Sequence, residues 1–224
     1  MAIGARRLDR LEKVAAQIRE AGGEAVAYRL DVSDPASVAQ FAAGAAADLG
    51  DIEVVVSNAG TIVPSPVLTA DTDAIGRELD VNILGAHRLV RAFGPGMVER
   101  GRGDLVFISS DVVPNPRPGV AGYVSGKWGL EGLAHVLRME LEGTGVRVSL
   151  VRPGPTITEI AMEWGEQATI DVVTSWQRFG VGRHTGFVLP EHIASAVLAA
   201  VSMPRGTYLP LVEVEPEAPV EKKS

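Results

Sequence analysis

The chain contains no cysteine. That absence removes disulfides, thiolate nucleophiles and cysteine-ligated metals together, and it is compatible with a reducing cytoplasm. Histidine is scarce as well: His87, His135, His184 and His192 show no metal-ligand spacing, so no metal centre is expected. Basic residues are outnumbered, 21 Lys+Arg against 28 Asp+Glu for a net charge of −7. With no dense basic run either, a nucleic-acid partner has no electrostatic footprint. No stretch approaches the ~18 consecutive apolar residues of a membrane span. The N-terminus, Met1-Ala2-Ile3-Gly4-Ala5-Arg6-Arg7, turns charged too soon for a signal peptide. The expectation is a soluble, cytoplasmic protein that binds neither membrane nor nucleic acid.

What is present is a 224-residue chain with 46% hydrophobic residues, enough for one globular domain with a two-sided sheet. Apolar runs alternate with amphipathic stretches: Ala2–Ala5, Leu8–Ala21, Glu24–Leu30, Pro35–Leu49, Ile52–Ser57, Thr72–Arg100, Asp104–Ser109, Ala121–Glu142 and Val146–Val151. This alternation predicts an α/β fold, a Rossmann-like doubly wound parallel sheet in three α/β/α layers. Ala21-Gly22-Gly23 and Gly143-Thr144-Gly145 punctuate helix ends, and Ser33-Asp34-Pro35 caps a helix start. Val54-Val55-Val56 reads as a strand covered by helices on both faces. From Pro153 to about Pro190 the rhythm breaks, which fits either a lid over a substrate or an irregular surface connection. Pro190–Met203 reads as a last helix and Thr207–Val212 as a last strand. The domain is placed at residues 1–212, with a disordered polar tail at 213–224.

Tyr123-Val124-Ser125-Gly126-Lys127 sets a phenol above an ammonium on one helix face. Alone, that pair is commonplace on solvated helices. Its surroundings raise its significance. Ser110 follows the run Leu105–Ser109 and so stands at the carboxyl end of a strand, the edge where open α/β sheets bind ligands. Asn58-Ala59-Gly60, Asn82 and Pro153-Gly154 fall on the same rim.

With these residues in this order, the chain resembles the short-chain dehydrogenase/reductase family, strongly from Met1 to about Thr158. The resemblance implies a catalytic tetrad of Asn82, Ser110, Tyr123 and Lys127 that interconverts a carbonyl and an alcohol of a small-molecule substrate. Tyr123 would be the general acid and base, Lys127 would stabilise its phenolate, Ser110 would hold the substrate oxygen, and Asn82 would order a water. Asn82 could instead be an amide capping a distorted helix turn. The resemblance also places Asp31, Val32, Asn58, Ala59, Gly60, Pro153, Gly154 and Thr158 around a dinucleotide, with Tyr123 and Lys127 touching it and Thr156 as an alternative to Thr158. Ala5 stands where an acid would select NAD, and Arg6 and Arg7 follow it, so NADP is expected, with NAD possible. The helices 72–100 and 121–142 would pair across a homodimer or homotetramer interface. Trp164, Trp176, Phe179 and Met162 could wall an apolar substrate pocket or pack a loop.

The same resemblance exposes a gap. The family opens with a strand, a glycine-rich turn and a helix that hold the pyrophosphate, and Met1 falls inside what matches its second strand. In a 3-2-1-4-5-6-7 sheet the omitted strand lies between two that remain. Neighbours spaced ~4.8 Å would then be left roughly 9.6 Å apart, a void expected not to stay open. Three explanations are available: the natural chain begins some tens of residues upstream; Ala2–Ala5 pairs directly with Ile52–Ser57; or the protein is a truncated, inactive or regulatory relative that oligomerises without turnover. The last two predict weak NADP binding and poor activity.

Overall fold

Runs of four to eight apolar residues become strands and the amphipathic stretches between them become helices in the computed structural model, which describes residues 1–160, 164–181 and 186–220. The strands are β1 (Ala2–Ala5), β2 (Val26–Arg29), β3 (Val54–Ser57), β4 (Gly103–Ile108), β5 (Val146–Pro153) and β6 (Leu211–Val214). The helices are α1 (Leu8–Glu20), α2 (Pro35–Leu49), α3 (Thr72–Leu79), α4 (Gly85–Glu99), α5 (Ala121–Glu140), α6 (Glu166–Arg178) and α7 (Pro190–Val201). Asp34 caps α2 by accepting from the Ala36 N–H, with Pro35 at the first helical position, as the sequence predicts.

All strand pairs are parallel, in the order β3-β4-β5-β6. Alternation along β4 explains the layers. Leu105 and Phe107 join a core with Leu89, Phe93 and Met97 of α4 and Leu130 and Ala134 of α5. Val106 and Ile108 face the other way, onto Ala196 and Ile193 of α7. Gly145, at φ +79°, makes the turn into β5; a β-carbon there would lie 2.0 Å from the Gly101 carbonyl oxygen, so no other residue fits.

Several expectations are corrected. The single helix Thr72–Arg100 is interrupted by a turn of π-helix at Asp80–Leu84, centred on Asn82. The last strand lies at Leu211–Val214 rather than Thr207–Val212, so Glu213 and Val214 belong to the sheet and not to a tail; residues 221–224 lie outside the described ones. The segment 153–190 contains α6, hidden in the sequence because Thr169, Ile170, Val172, Val173 and Thr174 are β-branched and weak helix formers.

β1 pairs only with β2, as a two-stranded sheet separate from the other four. Direct pairing of Ala2–Ala5 with Ile52–Ser57 is therefore overturned. Helix packing holds the two sheets instead. Phe41 of α2 meets Phe93 of α4 edge-on at 6.0 Å, and Arg88 of α4 donates to the Val32 carbonyl at 3.0 Å. Covering is one-sided at this edge: Val55 packs onto the α4–α5 core, while Val54 and Val56 stay 41% exposed, contrary to the two-faced burial expected of them.

Candidate active site

The carboxyl ends of β3, β4 and β5, the π-turn of Asn82 and the first turns of α5 converge on one rim. Gly126, on α5, lets this helix approach the π-turn: a β-carbon there would lie 2.9 Å from Cβ of Asn82. The widened turn aims the buried Asn82 amide back at the segment after β3. Asn82 accepts from the Thr61 N–H at 3.0 Å and donates to the Thr61 carbonyl at 2.9 Å. An amide has two donor hydrogens and two acceptor lone pairs, so one of each is left after these bonds. Gly60 is the close neighbour of both Asn82 and Lys127; a β-carbon there would lie 3.1 Å from Asn82 Oδ1 and 3.5 Å from Lys127 Nζ.

Lys127 is 4% exposed, and its Nζ donates to the Ile108 carbonyl at 2.7 Å. Burial pushes its pKa down to about 8, against the pull of the Glu131 carboxylate. Its ammonium lies 5.6 Å from the centre of the Tyr123 ring. Burial pushes the Tyr123 phenol above its ordinary value, and a hydrogen bond with Ser110 works the other way. Ser110 Oγ also donates to Asp111 Oδ1 at 3.1 Å. An acid-base phenol, a hydroxyl within its reach and a cation behind it can pass a proton to or from one bound oxygen.

Lys127 makes a pH prediction. Its folded value, about 8, lies below the ordinary 10.5, so between the two the unfolded chain holds the additional proton and stability rises with pH. Urea midpoints of wild type and Lys127→Met, taken on both sides of that window, should show wild type gaining on the variant as pH increases. A constant difference would remove the assignment of a buried, depressed lysine.

Asp111, Arg117, Ile62, Glu131 and Arg152, none of them singled out in the sequence, surround the rim together with Trp164 and Trp176, which were. The Asp111 carboxylate is pushed up by burial and held back by its ion pair with Arg117, whose guanidinium lies 5.2 Å above the Trp176 ring. Tyr123, Trp164 and Trp176 all pack against a buried cluster of Ile62, Val120 and Val172, so α6 and the segment after β3 meet the first turn of α5 beside the phenol. Below, Arg152 at the end of β5 donates to both oxygens of Glu131 at 2.7 and 2.6 Å, and Ser109 donates to the same carboxylate. Sequence signals existed for two of these: Asp111 adjoins Ser110, and Glu131 is one helical turn beyond Lys127. Arg117, Arg152 and Ile62 carry none.

The expected cofactor residues are more scattered. Asp31 Oδ1 accepts from both the N–H and the hydroxyl of Ser33, a turn-closing arrangement that lowers its pKa. Val32 is buried against α4, while Asn58 and Ala59 are exposed at the end of β3. Arg6 is exposed near Asp31, and Arg7 pairs with Glu159 at 3.2 Å, beside Arg10 on the same carboxylate. Pro153 ends β5, and Gly154 is buried with its N–H donating to the Val214 carbonyl at 2.8 Å. Thr158 is exposed, whereas the Thr156 hydroxyl donates to the Gly154 carbonyl. Phe179 is exposed, away from the Trp164–Trp176 cluster, and Met162 lies outside the described residues. Among the described residues no group of three His, Asp or Glu is placed to hold a metal, and no helix is long and apolar enough to cross a membrane.

A model of the short chain dehydrogenase family matches residues 1–169, three quarters of the chain. The chain belongs to this family. Among solved structures, the alcohol dehydrogenase of the archaeon Thermococcus sibiricus complexed with 5-hydroxy-NADP superposes with a TM-score of 0.81 at 28% identity, covering 99% of this chain and 88% of that one. A metagenomic short-chain oxidoreductase in complex with NADP gives 0.79 at 30% identity, over 97% and 86% of the two chains. The glycine betaine reductase ATRR of Emericella nidulans is 30% identical over 96% of this short-chain dehydrogenase, which spans only 16% of that relative's length.

Proposed function

We propose that the protein is an NADP-dependent oxidoreductase that interconverts a carbonyl and an alcohol, with Tyr123 as general acid and base. The observation that carries this reading is the convergence of Ser110, Tyr123, Lys127 and Asn82 on one rim beside Gly60. The nicotinamide side of the site fits a dinucleotide. Gly60 leaves open backbone against Lys127 and Asn82, and Lys127 is a buried donor at that point. The Arg7–Glu159 pair is exposed on both sides and screened by solvent, so a 2′-phosphate can replace Glu159 there. A bound nicotinamide would supply or accept the hydride.

The chain's own residues handle the oxygen. The Ser110 hydroxyl donates to the substrate oxygen and orients it towards Tyr123. Tyr123 gives its proton to the developing alkoxide, or takes one from the alcohol in reverse. Lys127, charged at neutral pH, offsets the negative charge left on the phenol, and the unspent donor and acceptor of Asn82 order a water through which, past Lys127, solvent returns to Tyr123 the proton it gave up. The cluster of Ile62, Val120 and Val172 keeps water from the part of the Tyr123 side chain packed on it.

The separation of β1 from β3 favours a second reading, a relative that oligomerises without turnover. Titrating NADPH fluorescence separates the two. The measurement uses the 224-residue chain and one extended ahead of Met1 by a strand, glycine turn and helix of the family type. Preference for NADPH over NADH by the extended chain, lost in Arg6→Ala/Arg7→Ala, is the expected result. If the extended chain binds neither nucleotide, the oxidoreductase reading fails and the second takes its place. For either reading we propose a homodimer or homotetramer through α3–α4 and α5, supported by Leu84, Val98, Trp128, Val136 and Met139, which stand exposed on these helices and the π-turn, Met139 by 76%. Light scattering should report an oligomer for wild type and a smaller species for Val136→Arg/Met139→Glu; unchanged mass would place the interface elsewhere.

A further inference from the structure

Glu78 has no part in the steps above, yet it is 2% exposed, on α3 one turn before Asn82. Its Oε1 accepts from the Val63 N–H at 3.0 Å, and its buried Oε2 has no hydrogen-bond partner. Gly122 makes room for that oxygen: a β-carbon there would come within 2.0 Å of it, so the carboxyl lies on the backbone of the first turn of α5, next to Tyr123. Burying a carboxyl with one free oxygen is unfavourable where an apolar side chain could pack. A role other than packing is required.

The contacts of residues 60–65 indicate the role. Asn82 holds Thr61, the Trp164 indole N–H donates to the Ile62 carbonyl at 3.0 Å, and Glu78 holds Val63. Ser65 accepts from the N–H groups of Ala121 and Gly122 at the start of α5. Ile62, between two of these anchors, belongs to the buried cluster against which Tyr123 packs. We propose that Glu78 is a positioning residue for Tyr123: through Val63 it seats Ile62 in the cluster against which Tyr123 packs, and its carboxylate on Gly122 sets a negative charge beside the phenol.

The inference rests on the acid-base reading of Tyr123. The charged groups acting on the phenol are Asp111 and Glu78, which raise its pKa, and Arg117, which lowers it, with Lys127 one turn along α5. Residues 60–65 carry no titratable group, and α6 meets the cluster through Val172 and Trp176. Burial pushes the Glu78 carboxyl up, and its bond from Val63 pulls it back.

Amide NMR on the 224-residue chain tests this without cofactor or substrate. The Val63 amide shift should titrate with a midpoint above the ~4.3 of a free glutamate, the Tyr123 ring resonances should follow it, and both responses should vanish in Glu78→Gln. Exchange of the Val63 amide should quicken about tenfold in Glu78→Ala, with the Phe107 amide in β4 unchanged, because only the local opening is affected. Glu78→Gln, which keeps the acceptor, should restore wild-type exchange. A Val63 shift flat with pH, Tyr123 rings that ignore the titration, or unchanged exchange in Glu78→Ala each overturns the proposal. If Glu78→Ala does not fold, the isosteric Glu78→Gln decides by titration alone. Missing turnover in the fluorescence-tested chains would remove the acid-base reading and leave these NMR outcomes as they stand.

Discussion

Replacing Tyr123 by Phe in a chain that turns over substrate is expected to lower kcat by about 10²–10⁴-fold, the usual weight of a positioned general acid. NADPH affinity and thermal midpoint should stay close to wild type. Tyr123 packs against the buried cluster of Ile62, Val120 and Val172, and phenylalanine keeps those contacts. Losing the phenolic hydroxyl removes one hydrogen bond, worth about 1 kcal/mol. Steady-state rates measured beside NADPH binding and a melting curve separate the effects. Turnover unchanged in Tyr123→Phe would end the acid-base assignment, and a collapse of the melting curve would show that the hydroxyl is structural.

Glu131→Ala should be the most destabilising of the site substitutions. Arg152 is caught between β5 and α5 with its guanidinium on Glu131, and Glu213 of β6 takes another of its N–H groups at 2.6 Å. Breaking a buried pair strands the remaining charge at a cost of about 3–5 kcal/mol; Glu213, half exposed, keeps the expected value near the lower end. A loss of about 3 kcal/mol lowers the melting midpoint by roughly 6–12 °C in a chain of this size. Burial pushes the Glu131 carboxyl up, but the hydrogen bonds of Arg152 and Ser109 and the Arg152 charge outweigh it and hold the pKa below the ordinary value. The sign follows: the contribution is complete above the unfolded glutamate pKa and disappears as pH falls through the lower folded one. Wild type and Glu131→Ala should therefore converge in acid. A gap that persists there would assign the loss to packing instead.

Legibility of the fold depended on range. Strands β4 and β5 and helix α2 could be read within a residue or two, because period and caps are local properties: Asp34-Pro35 starts α2 whatever surrounds it. α6 could not be read, since Thr169 to Thr174 favour strand and a helix forms there only because Val172 and Trp176 gain a surface beside Ile62 and Val120. The same limit hid the break at Asn82. Asn82 hinted at a distorted turn, but Asp80-Val81-Asn82-Ile83-Leu84 does not specify a π-turn; the two bonds to Thr61, 21 positions away, accompany it. Val54 and Val56 misled for the opposite reason: an apolar strand says that helices should cover it, not whether a neighbouring strand is there to complete the sheet.

By itself the sequence determined the α/β class, the parallel order of strands and the candidate chemistry of Tyr123, Lys127, Ser110 and Asn82, because each depends on short-range spacing or on position at a strand end. Tertiary structure alone decided how those groups are tuned. The depressed Lys127, the raised Tyr123, the Asp111–Arg117 pair and the enclosed Glu78 arise from burial and from partners distant in the chain, and desolvation cannot be read from a list of residues. The division into β1–β2 and β3–β6 was decided there too, with helix packing through Phe41, Phe93 and Arg88 joining two sheets that share no strand pair.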